Sequence, residues 1–514
     1  MAKLDYHPLF EARLDAWRML RHSYEGQACI KDKTVTYLPP TPGQVLDGMA
    51  PGTLDITSPG YLSYQNYLLR AVYPDFFREG VNTLVGILNE KPAKVSVPKG
   101  MEYLIKSCTP NQEDIQTLLR KIHTEQLTAG RLGLFADMEE EVPQTQPNFY
   151  ITTYNAENVP NWDAGAGTEH VDKLNYVILD ESGYTRSGGS FQWEYKEQYR
   201  VLALGSLFSL GEEASYRYAV TDDATNPRNL SFSVPVYRGE EAKEIPFVFV
   251  GSKDMDPSPD LPPLLGLAEI CLAIYRAEAD YRYALFMQAQ DTLVVVGGIR
   301  ASNADVGQPL RVGADARIDV ELGGDAKYIG IHSEGIPEMR KSIEADRAVA
   351  AVRTGQLLAP GKMSMESGEA LKTRVASQTA TLTTVANAAA AALEAILKKI
   401  ARWKGLDESK VAVSPNLEFS NFQLATQDLV QLITAKKLGF PISFETMHNI
   451  SRERGLTRST WKEEQEQIQA DPDFLVEVLR MDDGPLNGNN PLQGAGGPKK
   501  KPLETHTTGN KPKE

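Results

Sequence analysis

The stretch that decides the fold is LPPLLGLAEICLAIYRAEADYRYALFMQAQ, residues 261–290. Two prolines open it, and from Leu264 to Gln290 only Gly266 interrupts a continuous helical pattern. Its first half is apolar nearly all round, which is typical of a helix that is packed on several sides. At about 1.5 Å per residue, the sequence predicts a helix roughly 40 Å long.

Two further long helices follow this one, after a segment with strand-like patterns. Residues 292–331 contain the apolar run Leu293–Val296 and an alternating run from Ile318 to Leu322, which predict short strands. Residues 337–358 predict a second helix, and residues 369–403 predict a third, roughly 50 Å long. In the third helix, apolar residues recur every three or four positions: Leu371, Val375, Leu382, Val385, Ala389, Leu393, Ile396, Ile400 and Trp403.

The N-terminal half mixes helical and strand patterns, so the predicted fold class is α+β. Predicted helices begin at Pro8, run as one amphipathic segment from Tyr61 to Leu88, and cover Asp114 to Thr128. Aromatic and β-branched runs between residues 148 and 250 predict an antiparallel-rich sheet region. The predicted strands are 94–97, 132–137, 150–154, 174–179, 191–204, 216–220, 230–237 and 246–250.

Composition narrows the classes of function. The chain has 514 residues and a formal net charge of −14, which disfavours a groove that grips DNA phosphates tightly. Its three cysteines are too few for a disulfide framework, which fits a reducing compartment. We expect neither a secretory signal at the N-terminus nor a membrane span, since the least polar stretch, 380–393, is short and contains Thr and Asn. Residues 484–514, rich in Gly, Pro and Lys, predict a disordered tail.

Motifs for enzyme chemistry are missing from the sequence. The carboxylate pairs, such as Asp222-Asp223, fall in polar, turn-like segments, and the seven histidines show no spacing suited to a metal ion. Nucleophile-elbow, zinc-protease, dithiol and phosphate-loop signatures are all lacking. We therefore expect no catalytic residue, no cofactor and no metal.

Several stretches together resemble the portal proteins of tailed bacteriophages, the head-to-tail connector family. Each stretch is short, but they occur in the family's order over residues of about 60 to 465. They are Tyr64–Ala71 with Leu84-Val85-Gly86 and Pro92, Ala129–Asp137, Tyr154–Trp162, Pro263–Glu269 with Ala279-Asp280-Tyr281, Glu366–Lys372, and Pro441–Thr446.

The resemblance implies a homo-oligomeric ring, commonly of twelve subunits, at one vertex of the capsid. Such a ring is the channel for packaging and ejecting double-stranded DNA, and it docks the terminase large subunit and a head–tail adaptor. Contacts with major capsid and scaffolding proteins are implied too. The location would be the virion, with the host cytoplasm during assembly, and no membrane is involved.

The resemblance also implies how the chain is divided and which residues face DNA. Its segments would be the wing at 1–260, a stem helix at 261–290, the clip at 291–333, a second stem helix at 334–358, a tunnel loop at 359–368, a long wing helix at 369–403, a helical crown at 404–483 and the tail at 484–514. The tunnel-loop residues would be Lys362, Met363, Ser364 and Met365. The stem charges facing the channel would be Glu334, Glu338, Arg340, Lys341 and Glu344, whose mixed signs suit transient contact with phosphates. Pro160 and Asn161 depart from the family's apolar residues before Trp162.

Two other interpretations stay open on the sequence alone. One is a head–tail adaptor ring component, although adaptors are typically shorter and lack the helix–strand–helix order seen here. The other is an enzyme of unknown type built on the β-rich region at 148–250, which would need a pocket with perturbed titratable groups.

Overall fold

The structure is a computed structural model that describes most of the chain in two compact units, Met1–Gln423 and Leu424–Glu514. The described residues are 4–138, 148–164, 174–186, 188–205, 215–288, 293–296, 317–320, 335–354, 368–417, 441, 443–453, 457 and 459–470. Of residues 293–296, 317–320, 368–379, 450, 453 and 469–470, only the backbone is described. Helices and strands both occur, so the predicted α+β class is confirmed.

Seven helices lie in the described residues before position 130. His7 caps the first of them, its Nδ1 accepting a hydrogen bond from the Leu9 N–H at 3.1 Å, and the predicted start at Pro8 is confirmed. The single helix predicted for residues 61–88 is wrong, because the chain breaks at residues 71–75, where Pro74 disfavours a helical conformation before it. The helices are α1 Pro8–Glu25, α2 Gln27–Asp32, α3 Pro42–Leu46, α4 Tyr61–Arg70, α5 Phe76–Leu88, α6 Tyr103–Lys106 and α7 Ile115–Thr128.

The strands of the N-terminal half form antiparallel sheets, as predicted. They are β1 Lys94–Ser96, β2 Arg131–Met138, β3 Phe149–Asn155, β4 Asn161–Asp163, β5 Tyr176–Asp180, β6 Gly183–Arg186, β7 Trp193–Lys196, β8 Tyr199–Leu204, β9 Tyr216–Thr221, β10 Val236–Tyr237, β11 Glu240–Glu241 and β12 Phe247–Gly251. One sheet has the order β12-β2-β3 and another β4-β5-β8-β9, while β6-β7 and β10-β11 are two-stranded. The predicted strand at 191–204 is two strands in different sheets, and of 230–237 only Val236–Tyr237 is a strand.

The long helices of the C-terminal half are where the sequence placed them. They are α8 Leu265–Gln288, α9 Gly335–Arg353 and α10 Gly368–Trp403. Between α8 and α9, strands β13 Leu293–Val296 and β14 Arg317–Val320 pair in parallel. After α10, strand β15 Ala412–Ser414, which falls in the segment interpreted as crown, pairs antiparallel with β1. In the second unit lie α11 Phe444–Glu453 and α12 Trp461–Ala470, and Thr460 and Glu463 form the capping box that starts α12.

Helix α10 belongs to both large hydrophobic cores of the first unit. Leu382, Val385 and Ala386 pack in one core with α4, α5 and α8. From Ala389 to Trp403, its apolar side packs in the other core with α7, β2, β3 and β12. Every residue of the predicted apolar face whose side chain is described is buried, which confirms the periodicity: Leu382, Val385, Ala389, Leu393, Ile396, Ile400 and Trp403.

Part of α10 also meets the length and composition criteria for a membrane span. Among the described helices, the stretch Ala380–Trp403 is the one that is long and apolar enough to cross a bilayer. More than half of its apolar window is buried inside the protein, as in the core helix of a folded domain.

Helices α8 and α9 run antiparallel and are joined by a buried ion pair. Glu278 of α8 is fully buried, and its carboxylate accepts hydrogen bonds from Arg347 of α9 at 2.8 Å and from Arg282 at 2.9 Å. Farther along α8, the ring of Tyr281 lies 5.9 Å from the guanidinium of Arg340, which comes earlier in α9. Residue numbers therefore rise along one helix as they fall along the other, and the ion pair fixes their register.

Apolar contact between the helices is narrow. The buried residues of α9 are Ile336, Ile343 and Ala350, which recur every seven positions and form a single stripe. Most of the other side chains of α9 are exposed or only partly buried, so the ion pair at Glu278 is a buried polar contact beside this narrow stripe.

Removing the partner of the buried carboxylate should destabilise the first unit. Arg347→Met leaves Glu278 buried with Arg282 alone, so we expect the free energy of unfolding to fall by about 2–3 kcal/mol, measured by urea denaturation. Arg340→Met is the matched control, because it breaks an exposed pair on the same helix and should leave the midpoint unchanged. An equal decrease in the free energy of unfolding in both variants would contradict a stabilising role for the buried ion pair at Glu278.

Candidate functional site

The predicted channel residues divide into two groups. Glu334 and the tunnel-loop residues Lys362, Met363, Ser364 and Met365 lie outside the described residues. Glu338, Arg340, Lys341 and Glu344 lie on the first three turns of α9, and all four side chains are exposed.

These four charges on α9 pair with one another. Lys341 Nζ lies 2.6 Å from Glu338 Oε1, and Arg340 Nε lies 2.8 Å from Glu344 Oε1. Both pairs have the three- or four-residue spacing that brings side chains together on a helix surface. The hydrogen bond that Arg340 donates to Glu344 raises the pKa of Arg340 above its ordinary value. This face of α9 therefore presents both signs of charge to solvent and no net charge.

The β-rich region holds a polar network around Arg200 of β8. Its guanidinium donates to Asp137 Oδ2 at 2.9 Å and to Glu181 Oε1 at 2.8 Å, and Tyr154 Oη donates to Glu181 at 2.7 Å. Burial alone would lower the pKa of Arg200, but the two carboxylates outweigh it and raise that pKa. Burial raises the pKa of Asp137, and its hydrogen bonds and Arg200 oppose the shift. The network ties β2, β3, β5 and β8 together, and both carboxylates are occupied by the guanidinium.

A fully buried cation, Arg131, lies at the start of β2. Its guanidinium carbon is 3.9 Å from the centre of the Trp162 ring and 4.0 Å from that of Phe249, so two aromatic faces enclose it. His7 stacks on Trp162 with ring centroids 4.0 Å apart. Burial lowers the pKa of Arg131 to about 9, while Asp256 opposes the shift. Trp162 is thus an anchor of the large core that contains β2, β3 and β12.

One large cleft opens beside this region, between α10 and strand β12. Its volume is about 1240 Å³. Apolar side chains, including Phe247, Phe249 and Trp403, line it together with charged residues of α10. The charges are paired: Lys399 Nζ lies 2.6 Å from Glu244 and Lys398 Nζ lies 2.6 Å from Glu394.

One carboxylate of the cleft, Glu394, is stabilised in its ionised form. Burial would raise the pKa of Glu394, but hydrogen bonds from Lys398 and from the Val413 N–H lower it. A carboxylate with a lowered pKa is a poor proton donor, so this pairing does not supply the general acid that hydrolytic chemistry on a neutral substrate needs.

The histidines of the described residues lie at separate structural sites. His22 Nδ1 lies 2.7 Å from Tyr37 Oη, and His123 Nδ1 lies 3.0 Å from Asn89 Nδ2. In the second unit, His448 packs against Trp461 with ring centroids 5.3 Å apart. Within the described parts of the chain, no group of three or more His, Cys, Asp or Glu side chains could hold a metal ion.

Sequence reasoning missed Glu278, Arg131 and Arg200. Nothing in their local sequence separates them from surface charges, because a charged residue is buried only when a distant partner accepts it. Arg131 belongs to the stretch 129–137 that carries part of the resemblance. The aromatic residues that enclose its guanidinium are Trp162 and Phe249, which lie outside that stretch.

Comparison with known families gives one partial match. A family model described as "Domain of unknown function (DUF4055)" matches residues 263–404, which run from the start of α8 to just beyond the end of α10. No curated protein matches the sequence.

Comparison with solved structures gives weak likenesses to parts of gene transfer agent (GTA) particles. A chain of "Neck of empty GTA particle computed with C6 symmetry" is 12% identical, covers 80% of this chain and 98% of its own length, and has a TM-score of 0.37. A chain of "Virion of native gene transfer agent (GTA) particle" is 13% identical to this chain. The match covers 80% of this chain and 97% of the GTA chain, with a TM-score of 0.35. A chain of "Neck of native GTA particle computed with C12 symmetry" is 13% identical to this chain. The match covers 73% of this chain and 89% of the GTA chain, with a TM-score of 0.30. At these scores and identities, the likeness assigns neither fold nor function to this chain.

Acidification should weaken the fold through His123. Burial lowers the pKa of His123 to about 4, whereas the unfolded chain has the ordinary value of 6.5. The unfolded state therefore binds a proton first as the pH falls from 6.5 to 4, and stability drops by up to about 3 kcal/mol in that window. His123→Gln should flatten this part of the stability profile, measured by urea denaturation from pH 8 to pH 4. Parallel profiles for the two proteins below pH 6 would contradict the assignment.

Proposed function

We propose that this chain is the subunit of a portal ring, a structural conduit through which double-stranded DNA enters and leaves a virus-like capsid. The observation that carries the proposal is the order of its long elements. Antiparallel α8 and α9 flank a small β-pair, and the long α10 is the next helix of the described chain, beginning at Gly368. This is the stem–clip–stem–long-helix order implied by the resemblance of the sequence motifs.

The family match supports treating these elements as one unit. Its boundaries, residues 263 and 404, coincide with the start of α8 and the end of α10. A segment that recurs with those limits in other proteins includes both stem helices, the β-pair between them and the long helix.

The charges of α9 suit a surface along which DNA moves. Fixed phosphate contacts strengthen binding because each one releases counterions. On α9, Lys341 and Arg340 already have carboxylate partners, so they offer phosphates only competing contacts. The net charge of −14 adds repulsion at long range. DNA would thus pass the helix without being held.

The proposal includes partners and location. The ring would stand at a capsid vertex of the virion after assembly in the host cytoplasm, in contact with major capsid and scaffolding proteins. A terminase motor and later a head–tail adaptor would dock on it in turn. The chain itself would catalyse no reaction and would bind no cofactor.

The test of this function is the assembly of the purified full chain. We expect negative-stain images to show rings with a central hole, and mass photometry to give one closed multimer, commonly of twelve copies. Compact monomers across the micromolar range, without rings, would overturn the portal assignment. A DNA-independent hydrolytic activity in the same preparation would favour an enzyme instead.

The tunnel-loop assignment has its own prediction. Lys362→Glu reverses a charge next to the passing DNA, so we expect rings of unchanged mass and a reduced rate or extent of DNA packaging in a reconstituted reaction. Lys253→Glu, at an exposed position of the wing segment, is the control with the same charge change and should package normally. Loss of ring assembly in Lys362→Glu would show that this lysine has a structural role.

A further inference from the structure

The hairpin β6–β7 carries a cluster of exposed aromatic side chains. The exposed fractions are 70% for Tyr184, 91% for Phe191, 64% for Trp193 and 59% for Tyr195. Trp193 and Tyr195 lie two residues apart, so they share one face of the hairpin. Tyr184 is directly opposite Tyr195 in the register, and their rings meet edge to face with centroids 5.3 Å apart.

The hairpin has no core of its own within the described chain. Its two strands pair only with each other, and every residue of β7 is exposed. A lone two-stranded hairpin is marginally stable in water, and an exposed apolar cluster of this kind is typical of an interaction site.

A second exposed apolar surface lies on and beside α4. Leu62 and Leu69, seven residues apart on one side of the helix, are 74% and 71% exposed, and neighbouring Leu46 and Ile56 are 89% and 65% exposed. The opposite side of α4 is buried against α8, with Tyr67 Oη donating to Asp280 at 2.5 Å. We call these four residues, Leu46, Ile56, Leu62 and Leu69, the leucine face.

We propose that the aromatic face of the β6–β7 hairpin in one copy of this chain docks on the leucine face of the next copy. The inference rests on the proposed ring. A ring closes through heterologous contacts, in which one patch of each subunit meets a different patch of its neighbour. The two faces are such a pair, since the hairpin extends from β5 and β8 whereas α4 packs in a separate core with α8.

Area and charge both favour this pairing. The exposed parts of the eight apolar side chains offer on the order of 1,000 Å², which is the threshold for a specific protein interface. On the aromatic face, Arg186 is exposed opposite Trp193. Around the leucine face, the carboxylates of Asp47 and Asp55 lie next to Leu46 and Ile56 in the chain. Lys31 Nζ donates to the Leu69 carbonyl at 3.1 Å near the other end of this face, so docking would place Arg186 at the end with Asp47 and Asp55 and would orient the contact.

The test uses two variants of the full chain and a matched control. Phe191→Ser with Trp193→Ser removes the hairpin surface, and Leu62→Ser with Leu69→Ser removes the leucine face. Val220→Ser with Val236→Ser changes two valines that are 49% and 47% exposed outside both surfaces. We expect the control to form rings like the wild type. Each of the other variants should need at least a tenfold higher concentration for half-maximal assembly, measured by analytical ultracentrifugation.

Mixing the two defective variants gives the decisive result. Each retains the surface that the other has lost, so an equimolar mixture should form dimers with one copy of each and stop there. Half-maximal ring assembly at the wild-type concentration in either variant, or a mixture without dimers, would overturn this interface and leave the portal assignment standing. A wild-type chain that forms no closed multimer would overturn both.

Discussion

The long helix α10 is the constraint on which the first unit depends. Along one side it places Leu382, Val385 and Ala386 in the core of α4, α5 and α8, and further on Leu393 and Ile396 in the core of the β-sheet. Because a rigid helix rises about 1.5 Å per residue, it fixes the distance between these two cores. The small residues 388–392 let β12 and α7 approach its backbone closely. Neither core would close without its apolar side.

Helices α8 and α9 are held together by a buried ion pair as well as by apolar packing. Their apolar contact is one narrow stripe, so the hydrogen-bonded carboxylate of Glu278 specifies the register that hydrophobic packing alone leaves open. Glycine at position 80 contributes as well, since a Cβ there would lie 3.1 Å from Leu267 and 3.4 Å from Thr354, and its absence lets α5 approach both helices. The helix pair thus has a buried ion pair on its inner side and paired charges on its solvent-exposed side.

The β-rich region holds two structural cations, the half-buried Arg200 with acidic partners and the buried Arg131 with aromatic partners. Arg200 joins four strands through two carboxylates, and Arg131 lies between two rings. In both places the charged group is engaged in holding strands together. The hairpin β6–β7, which extends from the same sheet, is the contrasting case, because its aromatic side chains remain exposed.

The sequence predicts helices correctly where the apolar periodicity and the capping residues indicate the same bounds. The helix predicted for residues 114–128 is α7, which Asp114 caps by accepting a hydrogen bond from the Thr117 N–H at 2.9 Å, and Gly130 has a positive φ of 73° after its end. Pro74 is a visible signal that would have corrected the merged helix at 61–88. The split of 191–204 into two strands has no comparable local signal, because sheet membership depends on partners elsewhere in the chain.

The sequence by itself determined the α+β class, the three long helices and the apolar side of α10, because amphipathic periodicity is a property of neighbouring residues. Only the tertiary structure decided that β1 pairs with β15 across more than 300 residues, that Glu278 and Arg131 are buried, and which aromatic side chains stay exposed. These outcomes depend on contacts between distant segments. A charged or apolar side chain is buried when the partners that surround it make burial favourable in free energy. Those partners come from distant parts of the chain, so the local sequence does not reveal them.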